Sequence, residues 1–497
     1  MRTKNSIKNI FVSTIAQVIN MVLSFVTRTI FIKLLATEYL GLSGLFTNVL
    51  AVLSLSELGI GDAIIINLYK PIAEGDEEKI CKYMNFYKRA YFCIGSFILI
   101  FGIISLPFLS YIVKTDVPIP NLDIIYLMFV VNAASSYFFA YKRTILTANQ
   151  KEYINTVNKN IFLFLQYAVQ ILVLLVTHNY ILYLSVMLFS TLAANIRISV
   201  VADKQFPYLK KTNQILDKYD IKELFRNLKA IIYHKVGNIV INSTDNLIIS
   251  VCLGVYWVGL YSNYLLITST ITTFALIIFS GCSASIGAFN ATENKERVFS
   301  IFKVMKFVGF WVYGFCSICF ITLFQPFIEL WIGKEYLVQE FTVMLIVVAF
   351  FMKGMISISG TFIDISKLFV KTRFVPWIMA FINIVVSIVL AQYIGLAGVI
   401  LGTIVSYSFT KLWIDPFVLC KYKFEIAFGE YLKFAIKWIC VIIVIGYITY
   451  VVARLTDMFV IKMVISLILP NVLLFVVSCK TSEFKYLFSA IKALKNK

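Results

Sequence analysis

Ionisable side chains interrupt several long apolar stretches of this sequence. They are the bases Arg28, Lys235 and Lys353 and the acids Glu57, Asp62 and Asp245. An ionisable group at bilayer depth costs a few kcal/mol or more, so it normally faces a partner or a water-filled cavity. Arginine binds phosphate through paired hydrogen bonds, and lysine binds it as a point charge. The three bases therefore predict a cationic cavity that attracts a phosphate or pyrophosphate group.

The acids leave two interpretations open. Burial favours the protonated form of a carboxylate, so Asp62 or Asp245 could hold a proton, or bind a sodium ion, and respond to an ion gradient. Each could equally be the structural partner of a nearby cation, as Glu57 could be for Arg28. The residues alone do not choose between these roles.

Amides and hydroxyls form a polar face on each of two predicted helices. The spacing of these residues places them on one side of each helix, in the apolar stretches that also contain Arg28 and Lys235. Side chains of this kind offer the donors and acceptors that sugar hydroxyls need. The predicted lining residues are Gln17, Asn20, Ser24, His234, Asn238 and Asn242.

About fourteen apolar stretches are long enough to position these residues within a bilayer, since a spanning helix needs about 20 residues. The chain has 497 residues, of which 60% are hydrophobic and 14% charged, whereas soluble domains carry about 25% charged residues. The stretches lack the alternation of barrel strands. Composition thus predicts an all-α polytopic membrane protein. The predicted spans are 9–32, 42–68, 90–112, 123–147, 160–177, 181–200, 230–253, 259–289, 303–324, 340–363, 374–393, 396–418, 434–453 and 459–479.

An internal repeat divides these spans into two halves. A shift of 218 positions places Gly41 on Gly259 and also superimposes the polar faces of the first and seventh spans. Two parallel six-helix lobes around a central cavity, followed by two further helices, are a transporter architecture. The predicted parts are an N-terminal lobe (1–205), a cytoplasmic linker (206–229), a C-terminal lobe (230–420), and the last two helices with a basic tail (421–497).

The net charge of +19 is explained by topology. With both termini in the cytoplasm, 37 of the 45 Lys and Arg residues fall on the cytoplasmic side, as the positive-inside rule predicts. Membrane lipids are the expected partner for these charges, and nucleic acid is not. The first apolar run exceeds a signal-peptide core, so we expect it to be an uncleaved span. The exceptions to the charge asymmetry are Arg28, Lys33, Lys114, Lys334, Arg454, Lys462, Lys235 and Lys353.

Other motifs predict structural roles. Cys316 and Cys319 have metal-ligand spacing but lie in an apolar helix without a nearby histidine or carboxylate, and we expect no metal or cofactor. The Gly398-x-x-x-Gly402 pattern is typical of close helix packing. A hydroxyl-rich segment either lines the cavity or bonds to its own helix, and the second role is favoured. It comprises Thr268, Ser269, Thr270, Thr272 and Thr273.

Several segments resemble a known family: the polysaccharide transporters, which include flippases of O-antigen and capsule units, within the multidrug/oligosaccharidyl-lipid/polysaccharide exporter superfamily. The resemblance covers the whole chain, including its spans. The segments are ELGIG (57–61), Asp245 with VGLY (258–261), LWIGKEY (330–336) and GLAG (395–398).

The resemblance implies a carrier in a bacterial plasma membrane. Its substrate would be an oligosaccharide repeat unit on undecaprenyl pyrophosphate, moved by alternating access, with H⁺ or Na⁺ as the coupling ion and polysaccharide polymerase or assembly proteins as partners. The alternatives are an ion-coupled multidrug exporter and a membrane-embedded ligase or polymerase. Such enzymes generally carry a large outer loop, whereas every predicted outer loop here is short, so we expect no enzyme.

Overall fold

The structure is a computed structural model that describes residues 2–54, 60–210, 215–222, 224–225, 243–292 and 294–495, with most of their side chains. Within these ranges the chain is helical apart from short turns, and no strand occurs in them. Eleven helices of the described part are long and apolar enough to cross a membrane. Two shorter apolar helices, Thr37–Leu53 and Leu122–Phe138, lie at further predicted spans. The prediction of an all-α polytopic membrane protein is therefore confirmed.

Two compact units make up the chain, Met1–Gly259 and Leu260–Lys497. The lobes predicted from sequence, at 1–205 and 230–420, stay a prediction. The first unit contains a helical segment at 243–252 and the start of α10 (Val255–Thr292) after nine earlier helices. These are α1 (Arg2–Leu34), α2 (Thr37–Leu53), α3 (Ile60–Glu74), α4 (Glu77–Ile104), α5 (Leu109–Ile112), α6 (Leu122–Ala140), α7 (Arg143–Ala148), α8 (Glu152–Thr177) and α9 (Tyr180–Gln205).

The core of the first unit lies where α4 meets α3, α6 and α7. The buried residues of α4 recur every three or four positions, so they form one continuous stripe. Within this stripe the rings of Tyr87 and Tyr91 are 4.1 Å apart, and Tyr91 is 5.3 Å from Tyr137 of α6. The Asp76 side chain caps α4 by accepting a hydrogen bond from the Lys79 amide.

Part of the predicted linker is docked on this core. Leu216 and Leu224 are both buried in it. The carboxylate of Asp220, which is also buried, lies 3.3 Å from the ammonium group of Lys79. The described residues of the linker are therefore fixed to the first unit by apolar contacts and an ion pair.

The start of α2 packs against the start of α10. The shift of 218 residues relates these two segments of the sequence. A Cβ atom added at Gly41 of α2 would lie 1.9 Å from the carbonyl oxygen of Val255, and one at Gly259 would lie 2.5 Å from that of Thr37. The shift also pairs Thr37 with Val255, so the contact is reciprocal, as at a local twofold axis. Only glycine allows so close an approach of two backbones.

The second unit is organised around one long helix. This helix, α11, is capped at its start by the Asn294 side chain, which accepts a hydrogen bond from the Arg297 amide. Trp438 of α16 is buried against Phe307 of α11, with ring centroids 4.7 Å apart. The helices are α11 (Lys295–Ile332), α12 (Glu340–Ile365), α13 (Val375–Ile394), α14 (Leu396–Phe409), α15 (Lys411–Leu419), α16 (Phe428–Ala453), α17 (Phe459–Ser478) and α18 (Ser482–Lys495).

Two sequence predictions for this unit are confirmed. Cβ atoms at Gly398 and Gly402 would overlap α13, at 2.2 Å from the Leu390 carbonyl oxygen and 2.2 Å from Ser387 Oγ. The glycines therefore permit close packing of α13 and α14. The hydroxyls of the Thr/Ser-rich segment of α10 donate to carbonyl oxygens three or four residues earlier, so this segment bonds to its own helix.

Candidate functional site

The polar face of α1 packs against α8 in the first unit. Asn20 Nδ2 donates to Asn160 Oδ1 of α8 over 2.5 Å. Ser24 Oγ donates to the carbonyl oxygen of Met21, while Gln17 is half-buried. The amide pair joins the two helices within the apolar part of the unit, where water competes weakly for the hydrogen bond. Of the predicted α1 residues, Asn20 thus has a specific partner on another helix.

Arg28 lies one to two turns further along this face, beside a group of aromatic rings. Its guanidinium interacts electrostatically with the Tyr183 phenol of α9. Tyr183 stacks on Tyr180 with ring centroids 6.0 Å apart, and Phe31 meets both rings edge-on at 5.3 and 5.8 Å. We name this group, with Tyr39 at 4.7 Å from Tyr180, the Arg28 aromatic cluster.

Hydrogen bonds fix the cluster in place. Tyr180 and Ser43 of α2 share a hydrogen bond of 2.6 Å between their hydroxyl oxygens. Gln170 of α8 donates to the Tyr183 carbonyl oxygen over 3.1 Å and is itself buried. Asn179 caps α9 by accepting hydrogen bonds from the amides of residues 181 and 182. The rings beside Arg28 are therefore held by α2 and α8 as well as by α9.

This arrangement suits a ligand with an anionic group and a partly apolar ring. The guanidinium offers five donors in a planar fork, which matches the oxygens of a phosphate. Tyrosine combines an apolar ring, on which the apolar face of a sugar can stack, with a hydroxyl that forms hydrogen bonds. Arg28 and Tyr183 are both half-buried, so they keep part of their surface for such contacts.

The structure places the other predicted residues as follows. Lys353 lies on α12 with its side chain exposed, and Asp245 is half-buried in the helical segment 243–252. The backbone of Asp62 belongs to α3, while its side chain lies outside the described part of the protein. The remaining predicted residues, which lie wholly outside the described ranges, are Glu57, His234, Lys235, Asn238 and Asn242. The functional roles predicted for all of these stay predictions.

Two buried charges were missed by the sequence reasoning. Lys306 of α11 and Asp415 of α15 have 1% and 3% of their surface exposed. Each lies a few residues inside the end of a predicted span (303–324 and 396–418), where a charge is easily assigned to the adjacent loop. The available signal was the length of α11, which begins at Lys295 and places Lys306 about three turns inside the helix.

The candidate metal motif has another role in the structure. Cys319 Sγ donates to the Ser466 carbonyl oxygen of α17 over 3.2 Å. In the part of the chain that the structure describes, no three His, Cys, Asp or Glu side chains are grouped so that they could hold a metal ion. Cys319 therefore helps to join α11 to α17.

Solved structures of transporters share this fold. The lipid II flippase MurJ, in an inward closed conformation, aligns with a TM-score of 0.65 at 15% identity, over 94% of this chain and 98% of that one. An inward-facing multidrug resistance MATE family transporter of the MOP superfamily aligns with a TM-score of 0.63 at 13% identity, over 83% and 98%.

A third similar structure shows that this fold accommodates different sites. It is a MOP superfamily transporter from Pyrococcus furiosus in which a reverse polarity of the binding pocket suggests a different function. Its TM-score is 0.53 at 12% identity, over 83% of this chain and 94% of that one. At such identities the similarity establishes the fold, which is that of MOP superfamily transporters, and leaves the substrate to other evidence.

Comparison at the level of sequence gives the family. A search among curated proteins finds no match. The model of a family described as polysaccharide biosynthesis protein matches residues 6–280, which is more than half of the 497 residues. The matched range includes α1 from residue 6 onwards and all of α2 to α9, and hence the Arg28 aromatic cluster. The chain belongs to the polysaccharide biosynthesis protein family.

Proposed function

We propose that this protein is a flippase that moves an oligosaccharide repeat unit, linked to undecaprenyl pyrophosphate, from the cytoplasmic to the outer leaflet of a bacterial plasma membrane. The product would enter a surface polysaccharide such as O-antigen or capsule. Membership of a polysaccharide biosynthesis family and a fold shared with a lipid II flippase both support this substrate class. The observation that carries the proposal is the position of Arg28 beside ordered tyrosine rings on α9.

The chemistry of the substrate explains these residue types. A pyrophosphate group carries negative charge that must leave water during transfer, and a fixed guanidinium can compensate part of it. The half-buried rings of Tyr183 and Tyr39 offer surfaces for the sugar, while Asn20 and Gln17 lie on the same face of α1 as donors and acceptors. Lys235 and Lys353 would add further positive charge, and movement would occur by alternating access.

A multidrug exporter is the second candidate, because a MATE family transporter shares the fold. An exporter of cationic drugs needs an acidic or purely aromatic site, since like charges repel. The positive charge of Arg28 beside Tyr183 disfavours a cationic substrate. We therefore rank the lipid-linked oligosaccharide first.

The sidedness of the substrate tests the proposal. In cells that lack the protein, lipid-linked repeat units should accumulate on the cytoplasmic leaflet, because synthesis continues while transfer stops. A membrane ligase or polymerase acts after transfer, so its loss would leave the same units on the outer leaflet. Spheroplasts treated with an impermeant glycosidase or lectin distinguish the two cases. Units accessible from outside in the deletion strain would contradict flippase activity and favour the enzyme.

A further inference from the structure

A buried lysine and a buried aspartate form a second charged site, in the unit Leu260–Lys497. The ammonium group of Lys306 donates to the carbonyl oxygen of Met355 in α12 over 2.6 Å. The rings of Phe302 and Tyr431 flank it, with centroids 5.7 and 6.0 Å from Nζ. Asp415 is the carboxylate with which Lys306 interacts electrostatically. We name these two residues the Lys306–Asp415 pair.

The pair is connected to the surface by two further charges. Asp415 also interacts with Lys411 at the start of α15 and with Asp364 near the end of α12. Exposure rises along this series: Asp415 is buried, Lys411 is half-buried and Asp364 is exposed. Lys306 thus interacts with the Asp415 carboxylate and lies beside the Tyr431 ring, while Lys411 and Asp364 interact with Asp415. Ionisable side chains at falling depth provide a path along which a proton can reach an interior site.

The helix that carries Asp415 is interrupted next to the site. α14 ends at Phe409 and α15 begins at Lys411, and Thr410 between them has φ −131° and ψ −109°, far from helical values. The Thr410 hydroxyl donates to the Ser406 carbonyl oxygen, an acceptor near the end of α14. In secondary transporters, interrupted spans are where coupling ions bind. The break also allows α15 to move without distorting α14.

The energetics of the pair depend on its proton. A protonated Lys306 places a full charge in an aromatic core, and such a charge is tolerated only when another charge compensates it. Asp415 supplies this compensation. If Lys306 loses its proton, Asp415 is still attracted to the positive charge of Lys411. It is no longer attracted to Lys306, and hence to α11. The presence of one proton therefore changes the attraction between α11 and α15, which is the property that a coupling site requires.

We propose that the Lys306–Asp415 pair binds the proton that couples transport to the pH gradient. This inference rests on the proposed transport function and adds the coupling ion and its site. Nζ of Lys306 takes up the proton through Asp364, Lys411 and Asp415, and releases it when α15 moves. Arginine at position 306 keeps the positive charge but cannot release a proton, so it separates charge compensation from proton exchange.

Transport in proteoliposomes tests the site. The probe is undecaprenyl pyrophosphate carrying one N-acetylglucosamine, and its transfer is measured with and without an imposed pH gradient. The wild type should respond to the gradient. In Lys306→Arg the response to the gradient should be at least tenfold smaller. Exchange of the probe between leaflets in the absence of a gradient should remain. Lys303→Arg, the same change one turn earlier on α11, should behave as the wild type. A gradient response retained by Lys306→Arg would overturn the inference.

Failure of the coupling site and failure of the proposed function give different results. A wild-type protein that moves the probe at the same rate with and without the gradient refutes proton coupling and leaves the flippase standing. A wild-type protein that does not move the probe refutes the flippase. If Lys306→Arg does not fold, the double variant Lys306→Met/Asp415→Asn replaces both members of the pair with uncharged side chains, and Asp364 remains as the acidic partner of Lys411. The double variant should also exchange the probe between leaflets, at a rate that does not depend on the pH gradient.

A direct titration does not depend on transport. In protein labelled with ¹³C at lysine Cε, the resonance that disappears in Lys306→Met belongs to Lys306. Its chemical shift should change with pH over the range in which the gradient is applied, and Asp415→Asn should alter that change, because a compensating charge is removed. A resonance that stays constant throughout this range would refute proton binding by Lys306.

Discussion

At the scale of single residues, two basic side chains that lie inside apolar helices have different surroundings. Arg28 is half-buried beside tyrosine rings and hydroxyls, so it retains surface for a ligand. Lys306 is fully enclosed, and its ammonium group is directed at a backbone carbonyl oxygen. A guanidinium that stays charged suits binding of pyrophosphate, whereas an amine can gain and lose a proton. Residue type and burial together are the basis on which we propose the first for substrate binding and the second for coupling.

Substitution of Arg28 should reduce surface polysaccharide without removing the protein from the membrane. We expect Arg28→Ala to lower polysaccharide at least tenfold, because a charge-assisted contact to pyrophosphate contributes about 1.5–3 kcal/mol. Arg28→Lys should retain an intermediate level, since lysine keeps the charge but not the paired geometry. The measurement is the amount of polysaccharide per amount of membrane-inserted protein.

The control for this prediction is Arg197 on α9, an exposed arginine whose guanidinium lies 5.9 Å from the Phe162 ring. Arg197→Ala makes the same change in the same unit and should leave polysaccharide unchanged. Equal levels in Arg28→Ala and the wild type would remove Arg28 from the substrate site.

At the scale of elements, close helix contacts depend on glycine at a few positions. The start of α2 meets the start of α10 through Gly41 and Gly259, and α13 meets α14 through Gly398 and Gly402. Added Cβ atoms would lie 1.9–2.5 Å from the facing helix at each of these positions. Elsewhere a glycine has no such neighbour: a Cβ at Gly360 of α12 would meet nothing within 4 Å.

Two alanine substitutions should therefore have opposite effects on stability. Gly360→Ala should raise it by up to about 1 kcal/mol, because alanine favours the helix. Gly41→Ala should lower it by about 1–3 kcal/mol, because α2 and α10 must separate to admit the methyl group. Thermal unfolding of both variants in detergent measures the difference. A midpoint for Gly41→Ala at or above that of the wild type would show that this contact contributes little.

At the scale of the whole molecule, hydrophobicity predicts which helices cross the membrane, and the distribution of charge predicts on which side the loops and termini lie. Eleven helices of the described residues can cross a bilayer, and shorter apolar helices occupy other predicted spans. Of the 45 lysines and arginines, 37 fall on one side when both termini are placed in the cytoplasm. An even number of spans is required for the termini to share a side.

The sidedness of the C-terminus tests this topology. A fluorescent protein fused after Lys497 should fluoresce, because it folds in the cytoplasm, and alkaline phosphatase fused at the same place should be inactive there. Fusions within the loop at 113–121 should give the reverse pattern, since this loop lies on the predicted outer side. An active phosphatase after Lys497 would place the C-terminus on the outer side and would require a new assignment of the loops.

Sequence alone was enough for the properties that depend on local composition. Spans follow from apolar length and the polar face of α1 from helical periodicity, while the topology read from the distribution of charge stays a prediction. The hydrogen bonds within α10 and the close packing at Gly398 were also predicted, because both depend on side chains a few residues apart.

The tertiary structure decided which distant residues meet. It paired Asn20 with Asn160, placed Tyr183 beside Arg28, brought Gly41 against the start of α10, and enclosed Lys306 among Met355, Tyr431 and Asp415. No local pattern contains this information, because helices of similar hydrophobicity can pack through several faces, and steric fit selects one of them. Burial of the Lys306–Asp415 pair follows from that selection, so its role could be inferred only after the helices were assembled.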